Sequence, residues 1–312
     1  MERILEYRVG EPLPGWSGCI ATIGVFDGLH LGHRAILDRA LAWARTERRP
    51  AVLVTFGVHP DLIVHGRAPE PLLSLDHRLR EVERAGVDAA LVLRFDEALR
   101  QLPAEEFVAR ILVGSLRVHG VVLGHDTAVG RDRGGDAKRL RELGARHGFE
   151  VVSVGQIAID GEVVSSTRIR ELLRKSDLDA VARLLGRAPS VLGTVVRGDG
   201  RGKQLGFPTA NLDAESECHP GEGVYIGLAL HGERRHGAVC NIGRRPTFHR
   251  DAPPLVEVHL LDYSGDLYGE RLEVVFLKRL REERKFASID ELVRQIASDR
   301  ATAEEFFRRN PA

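Results

Sequence analysis

The sequence predicts an α/β domain built on a parallel sheet, followed by a β-rich domain that ends in helices. Apolar runs alternate with helical patterns over the first 186 residues, and short β-rich runs separated by Gly and Pro follow a change of pattern at Leu185–Pro189. The length of 312 residues also suits two domains of roughly 150 residues each. We therefore predict one domain at residues 1–186 and another at residues 187–312.

Five short apolar runs in the first half predict buried strands, because the strands of a parallel sheet are covered on both faces. These runs are Ile20–Ile23, Ala51–Phe56, Ala89–Leu93, Val118–Leu123 and Val151–Val154. Helical patterns separate them, at His33–Glu47, Asp76–Ala85, Ala104–Val113 and Ala137–His147. Alternation at this spacing predicts a parallel sheet with helices on both faces and right-handed crossovers.

The second half has the pattern of an antiparallel sheet or a small barrel. Its predicted strands are Val191–Val196, Val224–Leu230, Gly237–Asn241, Leu255–Leu261 and Leu272–Leu277. Two helices are expected at the end, because Ser288 with Glu291 and Thr302 with Glu305 have the spacing of capping boxes.

Composition excludes several classes of protein. Lys+Arg and Asp+Glu both number 45, and a net charge of zero argues against a protein that coats nucleic acid or an anionic membrane. Three scattered cysteines (Cys19, Cys218, Cys240) are too few for a disulfide framework or a C-x-x-C metal site. No apolar run approaches the ~20 residues of a membrane span, and the first residues lack a signal-peptide layout. We expect a soluble cytoplasmic protein, monomeric or weakly homo-oligomeric, without nucleic-acid or membrane partners.

The run Gly24–His33, with the sequence GVFDGLHLGH, is the first candidate site. It follows the first predicted strand and opens the first long helix, where free N–H groups favour a phosphate. His30 and His33 are three residues apart and share a helix face, so both could donate hydrogen bonds to a phosphate that gains charge. A glycine-rich turn with two surface histidines, or a metal-binding pair without an obvious third ligand, stays possible from the residues alone.

A second cluster precedes the domain boundary. Ser165, Ser166 and Thr167 stand at the predicted start of a helix and could simply cap it. Arg168 adds a planar guanidinium that suits phosphate oxygens, which favours a nucleotide clamp.

The second half carries weaker individual signals. The run GDGRGK at residues 198–203 is not a Walker loop, and in isolation a solvated basic turn explains it. Thr209 and Asn211 face the same way in an extended segment and could bind one hard cation through oxygen. Glu257 lies among alternating apolar residues, as an outward-facing strand carboxylate also would.

Together, these runs resemble the HxGH nucleotidyltransferase superfamily and, more closely, the prokaryotic bifunctional riboflavin kinase/FAD synthetases. GVFDGLHLGH and VSSTRIR match the adenylyltransferase half, and residues from about 190 to 309 match the riboflavin kinase domain almost continuously. The resemblance implies a Rossmann-like nucleotidyltransferase domain with a parallel sheet, then a six-stranded Greek-key barrel with a terminal helix. It also implies two reactions: ATP phosphorylates riboflavin to FMN in the second half, and AMP is transferred from ATP to FMN in the first, giving FAD and pyrophosphate.

The resemblance also assigns roles to residues. In the first half, His30 and His33 stabilise the α-phosphate, while Arg168 helps to hold the outer phosphates and Asp126 contacts the flavin. The other nucleotide contacts it implies there are Gly24, Phe26, Asp27, Gly28, Ser165, Ser166 and Thr167. In the second half it implies that Thr209 and Asn211 bind Mg²⁺, that Gly202 and Lys203 lie over the phosphates, that Glu257 is the general base, and that Arg281 contacts the flavin.

Three positions depart from the family pattern. Val58 replaces a proline of T-F-x-P-H-P, and Thr127 and Val129 replace the two phenylalanines of G-x-D-F-x-F-G. Losing aromatic rings removes stacking surface worth ~1–3 kcal/mol per ring. The alternative hypothesis is therefore a riboflavin kinase whose first half is silent or uses another acceptor. A flavin or nucleotide sensor is disfavoured, because it needs neither a general base nor metal ligands.

Overall fold

The computed structural model describes the chain apart from residues 12, 14–17, 199, 215–216, 244–254 and 311–312, and apart from the side chains of residues 201 and 203. Backbone contacts group the chain into two compact units. The first comprises Met1–Pro69 and Leu75–Ser165, and the second comprises Glu70–Ser74 and Ser166–Ala312. The predicted domain boundary at residue 186 remains a prediction, since it concerns activities and not contacts.

The first unit contains a parallel sheet, as predicted, with six strands where five were expected. Its strands are β1 (Glu2–Tyr7), β2 (Ile20–Ile23), β3 (Ala51–Phe56), β4 (Ala89–Leu93), β5 (Gly120–Gly124) and β6 (Glu150–Val154), in the spatial order β1-β4-β3-β2-β5-β6. Strands β2 to β5 are almost entirely buried, which explains their uniformly apolar sequences. The edge strand β1 was not predicted, because its mixed sequence ERILEY is largely exposed.

Helices connect these strands. They are α1 (Leu31–Glu47), α2 (Pro60–His65), α3 (Leu75–Arg84), α4 (Glu97–Arg100), α5 (Ala104–Phe107) and α6 (Ala137–His147). Of these, α1 and α6 contact the sheet. The helix predicted at Ala104–Val113 is α5 continued by π-helical turns at Val108–Ser115. A short hairpin of β7 (Ala158–Ile159) and β8 (Glu162–Val163) follows β6.

The second unit contains a closed six-stranded antiparallel barrel, which confirms the predicted architecture. It begins with α7 (Ser166–Arg174) and α8 (Leu178–Leu185) and continues with β9 (Ser190–Val196), α9 (Arg201–Gln204), β10 (Ala210–Asp213), β11 (Gly223–His231), β12 (Arg234–Gly243), β13 (Leu255–Leu260) and β14 (Arg271–Arg281). The strands close in the order β10-β13-β12-β11-β14-β9. This order is a Greek key, because β10 crosses over to pair with β13 and β14 crosses back to pair with β11.

The residues buried inside the barrel show which of their neighbours on each strand face outward. Tyr225, Cys240 and Phe276 are almost completely buried in it. Since successive strand residues point to opposite faces, Asn241, next to Cys240, faces outward. The strand candidates Asn211 and Glu257, which continue the register of Asn241, lie on the same outer face.

The chain ends in one helix, α10 (Ile289–Arg309), and the prediction of two helices is wrong. Ser288 does cap it, since its hydroxyl accepts the N–H of Glu291 at 3.2 Å. Thr302, however, lies inside α10, where its hydroxyl donates to the Ser298 carbonyl at 2.9 Å. No glycine or proline interrupts residues 289–309, so nothing ends the helix before Thr302. Within the described part of the chain, no helix combines the length and apolar character needed to cross a membrane.

Candidate active sites

The first candidate site lies where the order of the parallel strands reverses. Strand β2 has β3 on one side and β5 on the other. In open parallel sheets, ligands bind at such a switch point, beyond the carboxyl ends of the strands. The loop that follows β2 carries the glycine-histidine run, and the loop that follows β5 carries Asp126.

The loop after β2 turns sharply. Phe26, Gly28 and Leu29 have φ angles of 54°, 82° and 43°, and such angles cost a residue with a side chain about 1–3 kcal/mol. The Phe26 ring is buried and lies over Gly24, where an added Cβ would be 3.0 Å from the ring. Gly24 thus allows the Phe26 ring to pack closely over the backbone, and the positive φ angles of this loop are typical of ligand-binding loops.

The two predicted catalytic histidines lie together at the start of α1. Nδ1 of His30 accepts the N–H of His33 at 3.3 Å and so caps the helix. Their rings stack with centroids 3.7 Å apart. An added Cβ on Gly32 would be 3.1 Å from the His30 ring, so this glycine makes room for it. Since Nδ1 of His30 accepts, its neutral ring carries the proton on Nε2, which can donate to a ligand.

His33 is held in its neutral form. Burial lowers its pKa well below the ordinary histidine value, and the neighbouring charges of His30 and Arg78 act in the same direction. Its Nδ1 is buried and has no hydrogen-bond partner among the described residues. The pair therefore places two stacked imidazoles, with that of His33 neutral, at a helix N-terminus.

Arg78 on α3 supports this loop, and the sequence analysis missed it. It is buried and donates to the Val25 carbonyl at 2.9 Å and to the Phe56 carbonyl at 2.6 Å. Burial lowers its pKa to about 10. Arg78 thus connects the end of β2 to the end of β3. Its position one turn before the buried Val82 is the signal that could have revealed it.

The loop after β5 explains part of the departure from the family pattern. The Thr127 hydroxyl accepts the N–H of Gly124 at 3.1 Å, which closes the turn at the strand end. Val129 is 6% exposed and pairs with Gly135 in a small β-bridge of the core. Val129 is therefore a packing residue, whereas the Asp126 side chain is exposed. Val58, the third departure, is 43% exposed.

The hydroxyl cluster spans the end of the first unit and the start of the second. Ser165 is the last residue of the first unit. The carbonyl of the preceding residue, Val164, approaches the start of α1, since it lies 4.0 Å from the position of a Cβ on Gly32. Ser166, Thr167 and Arg168 form the first turn of α7 in the second unit. The roles of these four residues stay predictions.

The barrel brings three predicted residues into one row on its outer face. Asn211 on β10 pairs with Glu257 on β13, and Glu257 pairs with Asn241 on β12. Asn241 then pairs with Val224 on β11, which pairs with Arg281 on β14. Directly paired residues have neighbouring side chains on the same face. The predicted metal ligand Asn211, base Glu257 and flavin contact Arg281 therefore follow one another around the barrel.

A cavity of about 400 Å³ lies over this row. Its lining includes the small or polar residues Gly200, Gly202 and Thr209 together with Glu257. It also includes the aromatic and aliphatic side chains of Phe207, Phe286, Leu292 and Ile296. A lining of both kinds suits a ligand that carries phosphates as well as an aromatic ring system.

Two glycines approach two oxygen donors of this cavity closely. A Cβ on Gly198 would lie 2.1 Å from the Asn211 amide nitrogen, and one on Gly202 would lie 3.0 Å from the Thr209 hydroxyl. A hydroxyl and an amide oxygen in such a cradle form a donor set that fits a hard divalent cation. Lys203 belongs to α9, but its side chain is outside the described atoms.

Arg281 is fixed by the terminal helix. Its guanidinium binds the Asp299 carboxylate of α10 at 2.8 and 3.0 Å, and Gln295 donates to the same carboxylate at 2.8 Å. Arg281 and Arg284 lie 5.7 and 4.9 Å from the centre of the Phe286 ring. Asp299 is buried, and the sequence analysis did not single it out.

Glu283 is a second carboxylate in this cavity that the sequence analysis left unassigned. Burial and the nearby Glu222 raise its pKa above the ordinary glutamate value. The amide of Asn241, the neighbour of Glu257 in the row, acts to lower the pKa of this carboxyl. Gly243 lies directly against this carboxylate, since an added Cβ would be 2.5 Å from it.

Comparisons with known proteins identify both halves. A family model described as FAD synthetase matches residues 14–168, and one described as riboflavin kinase matches residues 185–307. A structure from Streptococcus pneumoniae, described as a macrolide-efflux protein, shares the fold over 96% of both chains, with a TM-score of 0.80 and 30% identity.

Relatives with both activities in their name match almost the whole chain. The bifunctional riboflavin kinase/FMN adenylyltransferase of Escherichia coli K12 is 40% identical over 296 residues, which is 93% of each chain. The proteins of the same name from Pseudomonas fluorescens and Bacillus subtilis are 42% and 33% identical, covering 93% and 92% of each chain. The alternative of a silent or altered first half finds no support in these matches. The chain belongs to the bifunctional riboflavin kinase/FMN adenylyltransferase family, and it both phosphorylates riboflavin to FMN and adenylylates FMN to FAD.

Proposed function

We propose that the barrel cavity carries out the phosphorylation of riboflavin and that the loop at the β2/β5 switch point carries out the adenylylation of FMN. The observation that supports the first assignment most strongly is the row Asn211–Glu257–Asn241, which sets a carboxylate beside a cation cradle. The helix N-terminus with its stacked histidines supports the second. On this basis, the kinase domain is residues 187–312 and the adenylyltransferase domain is residues 1–186.

In the kinase reaction, Glu257 accepts the proton of the ribityl 5′-hydroxyl. The hydroxyl oxygen then bonds to the γ-phosphorus of ATP, the bond to the β,γ-bridging oxygen breaks, and ADP leaves. Gly202 and Lys203 lie over the phosphates, and Arg281, held by Asp299, orients the flavin.

Thr209 and Asn211 would hold Mg²⁺ in the cradle beside Gly198 and Gly202. When bound, the ion supplies positive charge to the phosphate oxygens. The chain's own contribution is to keep the two oxygen donors in place, because Asn211 lies on a strand of the barrel and is buried.

In the adenylyltransferase reaction, an FMN phosphate oxygen bonds to the α-phosphorus of ATP and pyrophosphate leaves. The attacking phosphate is already an anion, so no protein nucleophile is required, and catalysis consists of positioning and charge stabilisation. Nε2–H of His30 and the imidazole of His33 face the α-phosphate. The other proposed contacts are Gly24, Phe26, Asp27, Gly28, Ser165, Ser166, Thr167 and Arg168 for ATP and Asp126 for the flavin.

Two variants test the assignment of the reactions to the two sites. Glu257→Gln removes the base and should lower riboflavin phosphorylation by ~10²-fold or more, with conversion of FMN to FAD unchanged. His30→Asn keeps a good helix cap but removes the Nε2–H donor, and should lower FAD formation ~10²-fold with kinase activity unchanged. Product chromatography with riboflavin or FMN as substrate measures both. Loss of both activities in either variant would contradict the assignment.

The remaining expectations concern the protein's surroundings. We propose a cytoplasmic protein, monomeric or weakly homo-oligomeric, that acts on small molecules and not on nucleic acid or membranes. The use of ATP in both reactions and the equal numbers of acidic and basic residues support this proposal.

A further inference from the structure

His259 is a buried side chain of the barrel cavity to which no role has yet been given. It lies on β13 two residues after Glu257, so both side chains share the outer face of the strand. It is 8% exposed and lines the cavity. Strands β10 and β13 are antiparallel, and Ala210 lies opposite Val258. This register places Thr209 directly across from His259.

The contacts of His259 fix its tautomer. Nδ1 lies 2.8 Å from the Pro208 carbonyl oxygen, and a carbonyl oxygen can only accept, so Nδ1 carries the proton. In the neutral ring, Nε2 then holds a lone pair. The rings of Phe207 and His259 also meet edge to face, with centroids 5.9 Å apart and planes at 79°. This contact restricts rotation of the His259 ring.

Nε2 of His259 is the unusual atom. It is buried and has no hydrogen-bond partner among the described residues. Leaving a buried acceptor unpaired is costly, and a site that binds hydroxyl groups is where such an acceptor is expected. The cavity lies over the cross-strand row that holds Glu257, the side chain proposed to accept a hydroxyl proton.

We propose that Nε2 of His259 accepts a hydrogen bond from an O–H group of the bound reactants during riboflavin phosphorylation. The donor is a substrate hydroxyl, on the ribityl chain or the nucleotide ribose, or a water on the cation held by Thr209 and Asn211. His259 is thus a binding residue that helps to orient the reactants beside Glu257. This inference rests on the proposed assignment of the kinase reaction to the barrel cavity.

Two substitutions separate the two nitrogens of the ring. In His259→Asn, the amide replaces Nδ1 and keeps the bond to Pro208, but nothing replaces Nε2. In His259→Gln, the amide reaches the position of Nε2 and loses the bond to Pro208. We expect kcat/KM for riboflavin phosphorylation to fall about tenfold or more in His259→Asn and to stay within about threefold of wild type in His259→Gln.

A purely structural role predicts the opposite order. If His259 only anchors Pro208, then His259→Gln is the more damaged variant, and this result would overturn the proposal. Wild-type kinetics in His259→Asn would also overturn it. Conversion of FMN to FAD by the same preparations serves as the control for concentration and folding, and thermal unfolding shows whether either variant is destabilised.

Substrate analogues identify the donor. With a substrate hydroxyl as donor, a deoxy analogue of ATP or of the ribityl chain costs wild type as much as the Asn substitution does, and costs His259→Asn nothing further. With a cation-bound water as donor, no deoxy analogue shows this pattern. Instead, His259→Asn needs a higher Mg²⁺ concentration for half-maximal nucleotide binding, measured by calorimetry without riboflavin. If neither pattern occurs, Nε2 has no O–H partner and the proposal is wrong.

The Glu257→Gln variant separates this inference from the assignment on which it rests. If Glu257→Gln keeps full kinase activity, the assignment of the cavity fails. If Glu257→Gln is inactive while His259→Asn behaves as wild type, the assignment stands and only the role of His259 fails.

Discussion

The two candidate sites are assembled in different ways. At the β2/β5 switch point, the loop, the helix cap and both histidines lie within ten consecutive residues, Gly24–His33, and their geometry is set by local turns. In the barrel, Asn211, Glu257 and Arg281 are far apart in sequence and are brought into one row only through strand pairing. The first kind of site depends on the conformation of single residues, whereas the second depends on the register of the whole barrel.

The largest effect expected from this comparison is on the barrel. Gly198→Ala places a Cβ where the Asn211 amide lies, 2.1 Å from its nitrogen, so the amide has to move out of the cation cradle. We expect riboflavin phosphorylation to fall about tenfold or more, because a displaced oxygen donor weakens the cation site. Steady-state kinetics at several Mg²⁺ concentrations measure the loss.

The control for Gly198→Ala is Gly155→Ala in the first unit, where an added Cβ meets nothing within 4 Å. It should leave both activities unchanged. If Gly198→Ala also phosphorylates riboflavin at the wild-type rate, the cradle around Asn211 is not used by the kinase reaction.

The next prediction concerns Val129, where the family has phenylalanine. Val129 is packed tightly, since a Cβ on Gly135 would lie 2.8 Å from its methyl group. Val129→Phe should therefore overpack the core and cost ~1–3 kcal/mol of stability, with no gain in affinity for FMN. Chemical denaturation and the KM for FMN measure the two quantities.

The matched control is Val163→Phe, the same change at a valine that is 41% exposed on β8, which should leave stability unchanged. A Val129→Phe variant that is stable and binds FMN more tightly would mean that this position belongs to the flavin site and not to the core.

The smallest effect concerns pH. The pKa of His33 is lowered in the folded state by burial, while the unfolded chain keeps an ordinary histidine value near 6.5. Below that value the unfolded state binds a proton that the folded state does not, so stability falls as pH decreases. The denaturant concentration at the midpoint of unfolding should therefore drop more between pH 7.5 and pH 5.5 in wild type than in His33→Gln.

His65→Gln, at an exposed histidine of α2, is the control for the pH experiment and should retain the wild-type pH dependence. Equal pH dependence in wild type and in His33→Gln would show that His33 is not the buried group responsible.

The geometry of the first candidate site follows from the sequence more directly than that of the second, for a physical reason. Strand–loop–helix geometry follows from consecutive residues, so the proximity of His30 and His33 could be expected from their spacing, although His30 caps α1 and does not lie on its first turn. Register is not encoded in any one strand, so the position of Asn241 between Glu257 and Val224 could not be derived. Arg78 was missed because a buried arginine can be recognised only from its hydrogen-bond partners in the folded protein, here the Val25 and Phe56 carbonyls.

The strands and helices of the fold could also be predicted in large part from the sequence. The strands and helices of the first sheet follow from apolar runs and from the 3.6-residue period, and the observed bounds differ by at most two residues for the predicted strands. The second predicted terminal helix was wrong because a capping-box pattern does not start a helix where nothing has ended the previous one, as at Thr302.

The most direct test of two separate sites is a mixing experiment. Riboflavin, ATP and Mg²⁺ are incubated with Glu257→Gln alone, with His30→Asn alone, and with both variants together, and the flavins are separated by chromatography. We expect unreacted riboflavin in the first case, FMN in the second, and FAD in the mixture, because FMN released by one protein is adenylylated by the other. Absence of FAD from the mixture, with each variant folded, would contradict the claim that each reaction has a site of its own.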